Sequence, residues 1–463
     1  MLEIEDLTVA LPSRGVVLHD VTLTAAAGRI TALVGPGGRG TSTLLRLLAR
    51  TLPGGALRSG RALLDGRDLL AATPADVRAR CLLVDPQRDD PHTVDAALAD
   101  LGASPADYDL VDRAQSPVAA LPPDLRARVA VARLEHGPRL PLVLVDQPSA
   151  ALDGAWRARL GWALRARADD GAHVMWAEHQ LDQVWQFADD VAEPREATVP
   201  LEDWAPVTVR EPTMKTLSRA LRIPPSHART PEQVAALVAG RPAEVRRSGR
   251  VPTAAGTVVS PVDLGLAGDL PLEIGDGESV GVVAVAGRPE PVARALTARL
   301  RGTRVPSVLP GTLTPGELCR QWDRAHGTST AAAVGPTIRL RSPLSSHSSG
   351  EQAGLRMLLA GPLERAVWLP QPQLGLDQAG QIAAQRSLAA GSAGIRIITT
   401  RDVEFLVRAC SRVLVVDGET VVAFGTPRAV LRLLPDPPLA ARALPAASPL
   451  RLGDVLDSLA EVR

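Results

Sequence analysis

The stretch Gly28-Arg-Ile-Thr-Ala-Leu-Val-Gly-Pro-Gly-Gly-Arg-Gly-Thr-Ser-Thr-Leu-Leu-Arg-Leu-Leu48 decides the fold of this chain. Its apolar run 30–34 predicts a buried strand, and its leucine-rich run 44–48 predicts a helix. The loop 35–43 between them follows the pattern G-x-x-x-x-G-K-[ST], whose backbone N–H groups point at phosphates from a helix N-terminus. Thr41 stands where the pattern requires lysine, so the loop lacks the positive side chain that neutralises phosphate.

Composition limits the classes of partner. The 463 residues predict two to four domains. A net charge of zero and an aromatic content of 2% argue against nucleic acid, because neither bulk positive charge nor base-stacking surface is provided. The three cysteines, Cys81, Cys319 and Cys410, lack metal-binding spacing, which predicts buried thiols in a reducing compartment.

The N-terminus and the hydropathy pattern indicate a location. Residues 1–6 carry acids where a signal peptide needs a basic and then an apolar stretch. No apolar run approaches the roughly 20 residues that span a bilayer. We therefore expect a cytoplasmic protein that is peripheral to the inner or plasma membrane and meets the membrane only through a partner.

A weaker second copy of the first pattern follows later in the chain. The strand-like segment 277–284 matches 28–35, and the run 367–377 matches 142–153. Both runs are apolar, end in a polar turn and close on a Leu-Asp pair. The second copy is shorter, because it lacks the piece equivalent to 60–68, which reads as two strands around the hairpin pair Asp65-Gly66.

With these motifs in order, each half resembles the nucleotide-binding domain of an ABC ATPase. In the first half, the phosphate-binding loop matches 35–43, the Q-loop matches Gln87 and the signature matches 121–125. The Walker B strand matches Asp146-Gln147, the D-loop matches Asp153 and the switch position matches His179. The second half matches the loop, signature, Walker B, D-loop and switch position at 284–292, 347–351, 370–371, Asp377 and 401. The resemblance implies an α/β fold of two tandem P-loop nucleotide-binding domains, the second shortened.

The resemblance also implies that the two halves pair head to tail within the chain, each loop facing the opposite signature. The resemblance implies that the first loop binds ATP and Mg²⁺, though weakly. The residues it assigns to metal are Ser42 and Asp146, and those it assigns to catalysis are Gln147 and His179. The residues it assigns to nucleotide are Gly35, Gly38, Gly40, Thr41, Ser42, Thr43, Gln87, Ser348 and Gly350. Gln147 replaces the carboxylate expected to polarise water, so little or no hydrolysis is expected.

The second loop departs further from the family pattern. Glu290 takes the lysine position and would repel phosphate, while Pro289 and Pro291 remove N–H donors. The opposing signature position, Leu121-Pro-Pro-Asp-Leu125, has neither serine nor glycine. We expect ATP only at the first loop.

Four segments are predicted: a first ABC-like domain (1–200), a helical extension or linker (201–245), a second, degenerate domain (246–435) and a C-terminal extension (436–463). Short helices are expected at 214–221 and after the cap Thr230. The extension resembles that of energy-coupling-factor importers, which implies an importer subunit with a transmembrane permease partner. The alternatives are an inactive pseudo-ATPase that acts as scaffold or regulator and a soluble, translation-type twin-cassette protein.

Plainer interpretations of single motifs stay open. Gln87 lies in a stretch that also reads as an ordinary polar loop, and His179 alone would be a structural histidine. The serine-rich run 345–349 could be a flexible loop. The first glycine-rich loop could persist for folding, since it lets a helix pack on a strand.

Overall fold

The computed structural model describes the chain except for residues 13, 53, 89, 194–197, 240–255, 336–337, 391–393, 446, 448, 450 and 462–463. Two compact units result, Met1–Thr216 and Leu217–Arg463. The predicted segment limits at 200 and 435 remain predictions, and the limit at 245 lies outside the described residues. Every helix in the described ranges is too short or too polar to cross a bilayer.

The described residues of the first unit form two sheets and six complete helices. Its strands are β1 (Leu2–Leu11), β2 (Gly15–Ala25), β3 (Ile30–Leu33), β4 (Leu57–Leu64), β5 (Arg67–Asp68), β6 (Cys81–Val84), β7 (Leu142–Asp146), β8 (His173–Ala177), β9 (Asp190–Ala192) and β10 (Val199–Pro200). Its helices are α1 (Thr41–Leu48), α2 (Pro74–Arg78), α3 (Val94–Ala99), α4 (Pro123–His136), α5 (Gly154–Asp169) and α6 (Leu181–Phe187). Helix α7 (Thr213–Leu221) spans the limit between the units.

The second unit repeats this plan with fewer strands. Its strands are β11 (Gly256–Val259), β12 (Leu272–Gly275), β13 (Ser279–Ala284), β14 (Thr303–Arg304), β15 (Val367–Pro370), β16 (Arg396–Thr399), β17 (Arg412–Asp417) and β18 (Thr420–Gly425). Its helices are α8 (Pro231–Val238), α9 (Glu290–Arg299), α10 (Pro315–His326), α11 (Ser349–Ala360), α12 (Gln378–Ala389), α13 (Val403–Ala409), α14 (Leu439–Ala443) and α15 (Leu452–Glu461).

The two large sheets have the same topology. The first runs β10-β9-β3-β8-β7-β6 and the second β18-β17-β13-β16-β15-β14. In each, the outermost pair, β9–β10 or β17–β18, is antiparallel and the other neighbours are parallel. The two strand orders correspond one to one, and the tandem α/β fold is confirmed.

The shortening of the second copy is also confirmed. The first unit carries a separate antiparallel sheet, β2-β1-β4-β5, in which the predicted hairpin pairs Leu64 with Arg67. Asp65 and Gly66 both have positive φ, 49° and 78°, as a tight two-residue hairpin turn requires. The second unit has only the two-stranded sheet β11-β12 in addition to its large sheet within the described residues.

The core of the first unit joins the antiparallel strands β1, β2 and β4, strands of the large sheet and helix α1, which follows the glycine-rich loop. Helix α1 buries Leu44, Leu45, Leu47 and Leu48, so four of its eight residues lie in the hydrophobic core. Burying one such leucine contributes about 1.5–3 kcal/mol. The three cysteines are buried free thiols, as the sequence predicts.

The predicted helical extension is folded where it is described. Thr230 caps α8 and Gln233 returns a hydrogen bond to its backbone, while Pro231 occupies the first helical position. Helix α8 packs on α14, and Arg442 donates to Glu232 at 2.6 Å. Both elements belong to the second unit.

Candidate phosphate site at the ends of three parallel strands

The loop between β3 and α1 is shaped by glycine. Gly38 and Gly40 have φ values of 80° and 85°, a region that L side chains rarely adopt. A Cβ on Gly40 would lie 2.5 Å from Leu18 Cδ2 and 2.8 Å from the Val17 carbonyl oxygen, so no side chain fits there. Gly40 is also the N-cap of α1, which places the loop at a helix N-terminus.

In the described part of the chain, three consecutive N–H groups of this loop, at residues 38–40, are available to a ligand. Within the described part of the chain, no hydrogen bond is donated by the backbone N–H of Gly38, Arg39 or Gly40. Unsatisfied N–H groups at a helix N-terminus attract anions. The loop thus fits phosphate through its backbone, although Thr41 has no charge to add.

Asp146 closes the site from the neighbouring strand. The last residue of β7, it accepts a 2.8 Å hydrogen bond at Oδ1 from the hydroxyl of Ser42. Both are oxygen donors of the kind that Mg²⁺ prefers, so the pair fits the metal that the sequence predicts. The structure thus brings together the two metal-site residues from positions 104 residues apart.

The surroundings of Asp146 are acidic but balanced by one arginine. Arg46, one turn after Ser42 on α1, lies 3.7 Å from Asp146 Oδ2 and donates to Asp85 Oδ2 at 2.9 and 3.1 Å. Burial, with a further contribution from the Asp85 carboxylate, raises the pKa of Asp146, while Arg46 and Ser42 oppose this shift. A cation placed beside Asp146 would favour its charged form.

Gln147 adopts an unusual backbone conformation. Its φ is 49°, and its N–H donates to the Ala177 carbonyl at 3.0 Å. The equivalent Gln371 of the second copy has φ 45°, and its N–H donates to Thr399 at 2.7 Å. A left-handed non-glycine residue is uncommon, so its occurrence at both positions marks a turn shared by the two halves.

His179 and Gln87 lie in loops at the same edge of the sheet. His179 is half-buried just after β8, and its N–H donates to Glu178 Oε1 at 2.7 Å. Gln87 is exposed after β6, with its N–H bonded to Asp85 Oδ1 at 2.9 Å. Their roles remain predictions, since the ordinary-loop interpretation of Gln87 also fits these contacts.

Sequence reasoning missed Glu178 and Asp85. Glu178 is 1% exposed and Asp85 is 4% exposed. Each is a carboxylate directly after a buried strand, β8 or β6, where an apolar or small residue is the ordinary choice. A carboxylate directly after a strand of the sheet was the sequence signal that could have identified both residues.

The second glycine-rich position is structurally different. Helix α9 begins at Glu290, the position equivalent to Thr41, and its N-cap is Pro289. The Glu290 carboxylate lies 3.2 Å from Nε of Arg288. With a carboxylate and two prolines at its entrance, this helix N-terminus is unsuited to an anion.

Ser348 and Gly350 lie in the second unit, at the N-terminus of α11. Ser348 is the N-cap of that helix and forms a capping box with Glu351: its hydroxyl accepts from Glu351 N–H at 3.2 Å and donates to Glu351 Oε2 at 2.9 Å. A Cβ on Gly350 would lie 3.2 Å from the Gly375 carbonyl oxygen. The hydroxyl predicted to meet phosphate is therefore engaged by a carboxylate.

Comparisons with known proteins identify the family. The ABC transporter family profile matches residues 18–149, from β2 through the turn after β7. The iron(III) import ATP-binding protein FbpC of Streptomyces coelicolor is 34% identical over 226 residues, which cover 44% of this chain and 63% of that protein. The hemin import ATP-binding protein HmuV of Bradyrhizobium diazoefficiens is 31% identical over 38% of this chain and 73% of its own length. This chain belongs to the ABC transporter family.

Structural similarity extends over nearly the whole chain. The archaeal ribosome recycling factor aABCE1, solved in complex with the ribosomal stalk protein aP1, aligns with a TM-score of 0.55 at 16% identity over 92% of both chains. A protein described as RNase-L inhibitor aligns with a TM-score of 0.53 at 17% identity over 93% of this chain and 92% of its own. These similarities support the tandem fold alone.

Proposed function

We propose that this chain is the ATP-binding component of an ABC importer, with nucleotide bound at the first glycine-rich loop and little or no hydrolysis. The observation that carries the proposal is the Ser42–Asp146 hydrogen bond beside a loop that has no lysine and whose N–H groups at 38–40 donate no hydrogen bond within the described residues. The import proteins FbpC and HmuV, similar in sequence, support the transport role. The chain spans 63% of the first of these, so partners and substrate belong to the proposal.

In the proposed site, the loop backbone and a few side chains bind the nucleotide and its metal ion. The backbone of the loop would hold the phosphates, and Ser42 and Asp146 would hold Mg²⁺, which neutralises phosphate charge. Thr41 contributes a hydroxyl but no positive charge, so we expect a lower affinity for ATP than a lysine at this position would give. Gln147 can orient a water but cannot accept its proton at neutral pH, and loss of a general base lowers the rate by about 10²–10⁴.

The finer assignment is an importer of the energy-coupling-factor type. The fold of the extension around the Thr230 cap and its packing on the C-terminal helix α14 support this type. It implies a transmembrane permease partner, a cytoplasmic location at the membrane and head-to-tail pairing of the two halves. Zero net charge and scarce aromatics support a protein partner over nucleic acid.

The alternative is a pseudo-ATPase that serves as scaffold or regulator. Residues at expected catalytic positions favour it: Gln147 in the first half, and Glu290, its two flanking prolines and Pro370 in the second. A translation-type role would need more than the structural similarity to a ribosome recycling factor, since 16% identity supports fold alone.

The test is steady-state ATP hydrolysis by the purified full-length chain and by the double variant Thr41→Lys with Gln147→Glu. We expect negligible turnover by the first and a marked gain in the second, because the variant adds a positive charge at position 41 and a general base at position 147. The matched control, Glu290→Lys in the second half, should gain nothing. Ordinary transporter turnover by the unmodified chain would overturn the chemistry, and turnover that supports uptake with a permease would exclude the scaffold.

A further inference from the structure

Glu178 is a fully buried carboxylate with both oxygens engaged. Its Oε1 accepts the backbone N–H groups of His179 at 2.7 Å and Gln180 at 2.9 Å. Its Oε2 accepts the hydroxyl of Ser149. A buried charge is costly unless it is hydrogen-bonded, so three donors at one carboxylate indicate that the surrounding residues are arranged to stabilise it.

The bond to Ser149 joins two segments of the proposed site. Ser149 lies two residues after Gln147, in the short helical turn 149–151 that leads to α5. The Arg157 side chain holds the same turn by donating to the Ser149 carbonyl at 3.2 Å. Glu178 therefore ties the turn that carries Gln147 to the segment that carries His179, across the ends of neighbouring strands.

Among the described residues of the second copy, no equivalent hydrogen bond joins the two segments. Thr400 takes the place of Glu178 after the equivalent strand, and its hydroxyl accepts from Asp402 N–H at 3.0 Å. The turn is thus satisfied without a carboxylate. Gln373 takes the place of Ser149, and its side-chain amide has no hydrogen-bond partner in the described ranges.

This contrast separates two roles of Glu178. Closing the local turn is a role that a threonine hydroxyl performs in the second copy. In the described residues, the carboxylate bond across to the neighbouring turn occurs in the half whose loop keeps its glycines and its Ser42–Asp146 pair. The longer acidic side chain thus coincides with the half that retains the phosphate site.

We propose that Glu178 is a positioning residue of the first nucleotide site, which fixes His179 and the Gln147 turn relative to each other. The inference rests on the proposed function, and Glu178 acts through both His179 and the turn that carries Gln147. Its importance follows from position 147: a side chain that acts on a water, the native Gln147 or a glutamate in its place, depends on its own placement, and a displacement of about 1 Å can lower a rate 10²-fold.

The test uses the full-length Thr41→Lys, Gln147→Glu chain as parent, so that turnover can be measured. Glu178→Thr keeps the local turn, as in the second copy, but removes the bridge to Ser149. Ser149→Ala removes the bridge from the other side. We expect both to lower kcat by about 10-fold or more with little change in KM for ATP.

Two further variants separate positioning from general stability. Glu178→Gln retains an acceptor for the backbone N–H groups and can donate to Ser149, so it should recover most of the kcat lost in Glu178→Thr. Gln373→Ala, at the equivalent position of the second copy, should leave kcat unchanged. Equal kcat in parent, Glu178→Thr and Ser149→Ala would overturn the inference.

Amide hydrogen exchange gives a readout that needs no nucleotide. Glu178→Thr and Ser149→Ala should both speed exchange in residues 149–153, whereas Gln373→Ala should not. A parent without turnover would count against the proposed function, and this exchange comparison would then decide the inference. Unchanged exchange in both bridge variants would refute it.

Discussion

Ser42 and Asp146 face each other across the end of the first large sheet, with the hydroxyl donating to the carboxylate at 2.8 Å. One follows the glycine-rich loop and the other ends β7, so the contact exists only because β3, β8 and β7 lie in this order. Ligands of open α/β sheets bind at such carboxyl ends. The pair is present although the neighbouring positions 41 and 147 carry the uncharged residues Thr41 and Gln147.

Removal of either oxygen should abolish the metal dependence of nucleotide binding. We expect Ser42→Ala and Asp146→Asn each to weaken Mg²⁺-ATP binding by about 10-fold or more, with a smaller effect on ATP in excess EDTA, because the lost ligand acts through the metal. Titration calorimetry with and without Mg²⁺ measures the difference. Pro291→Ala, at the position of the second loop equivalent to Ser42, should bind as the unmodified chain does. Equal loss with and without metal would contradict the assignment.

Freeing the Ser348 hydroxyl should strengthen nucleotide binding if Ser348 meets phosphate. Glu351→Gln removes a negative charge whose oxygen lies 2.9 Å from that hydroxyl. We expect tighter Mg²⁺-ATP binding, by about 3- to 10-fold for one favourable charge change.

A matched control for this variant exists in the same unit. Thr314 and Glu317 form a capping box of the same design on α10, with the hydroxyl 2.9 Å from Glu317 Oε2. Glu317→Gln should destabilise its helix to a similar extent and leave ATP affinity unchanged. Identical affinities for Glu351→Gln and the unmodified chain would separate Ser348 from the nucleotide site.

Arg46 should matter for stability as well as for the site. Its loss in Arg46→Leu leaves the buried Asp85 carboxylate without its cation, which we expect to lower the free energy of unfolding by about 1–3 kcal/mol. Urea unfolding measures the loss. The exposed pair Arg139–Asp170, joined at 2.6 Å, supplies the control, since Arg139→Leu should change stability by under about 1 kcal/mol. Equal effects of the two substitutions would refute a structural role for Arg46.

Glu193 should make stability depend on pH in the acid range. Burial raises its pKa, but hydrogen bonds from Thr208, Trp204 and Val207 outweigh this and hold the pKa below its usual value. A depressed acid stabilises the folded state above its unfolded pKa, and this contribution disappears as pH falls through the folded pKa.

The comparison of Glu193→Gln with the unmodified chain tests this. The variant should be less stable by about 2 kcal/mol at pH 7, and the gap should narrow as the pH falls below about 4. Unfolding midpoints in urea across this range provide the measurement, with the exposed Glu5→Gln as control. A constant gap at all pH values would assign the effect to packing instead.

The sequence predicted the elements whose pattern is local. The run 30–48 predicted β3, the loop and α1 because apolar period and glycine spacing are short-range signals, and Thr230-Pro231 predicted the start of α8 for the same reason. The repeat was visible because Gln147 and Gln371 lie in equivalent motifs, and the structure adds that both have positive φ.

Contacts between distant segments were harder to predict. Glu178 reads as one more polar residue beside His179, and only the neighbouring positions of β7 and β8 show that it reaches Ser149. Likewise, the resemblance assigns Ser348 to the nucleotide and gives no sign that its hydroxyl bonds to Glu351. The capping box with Glu351 depends on where α11 begins, and helix boundaries are poorly determined by sequence.

The most direct test of the central claim is where a photoreactive ATP analogue attaches. Purified full-length chain would be labelled with 8-azido-ATP and Mg²⁺, digested, and the labelled peptides identified by mass spectrometry. The account predicts labelling that is competed by ATP, confined to peptides of the first half near the loop 35–43, and lost in Asp146→Asn. Competed labelling of peptides around 284–292, or labelling indifferent to Asp146→Asn, would contradict it.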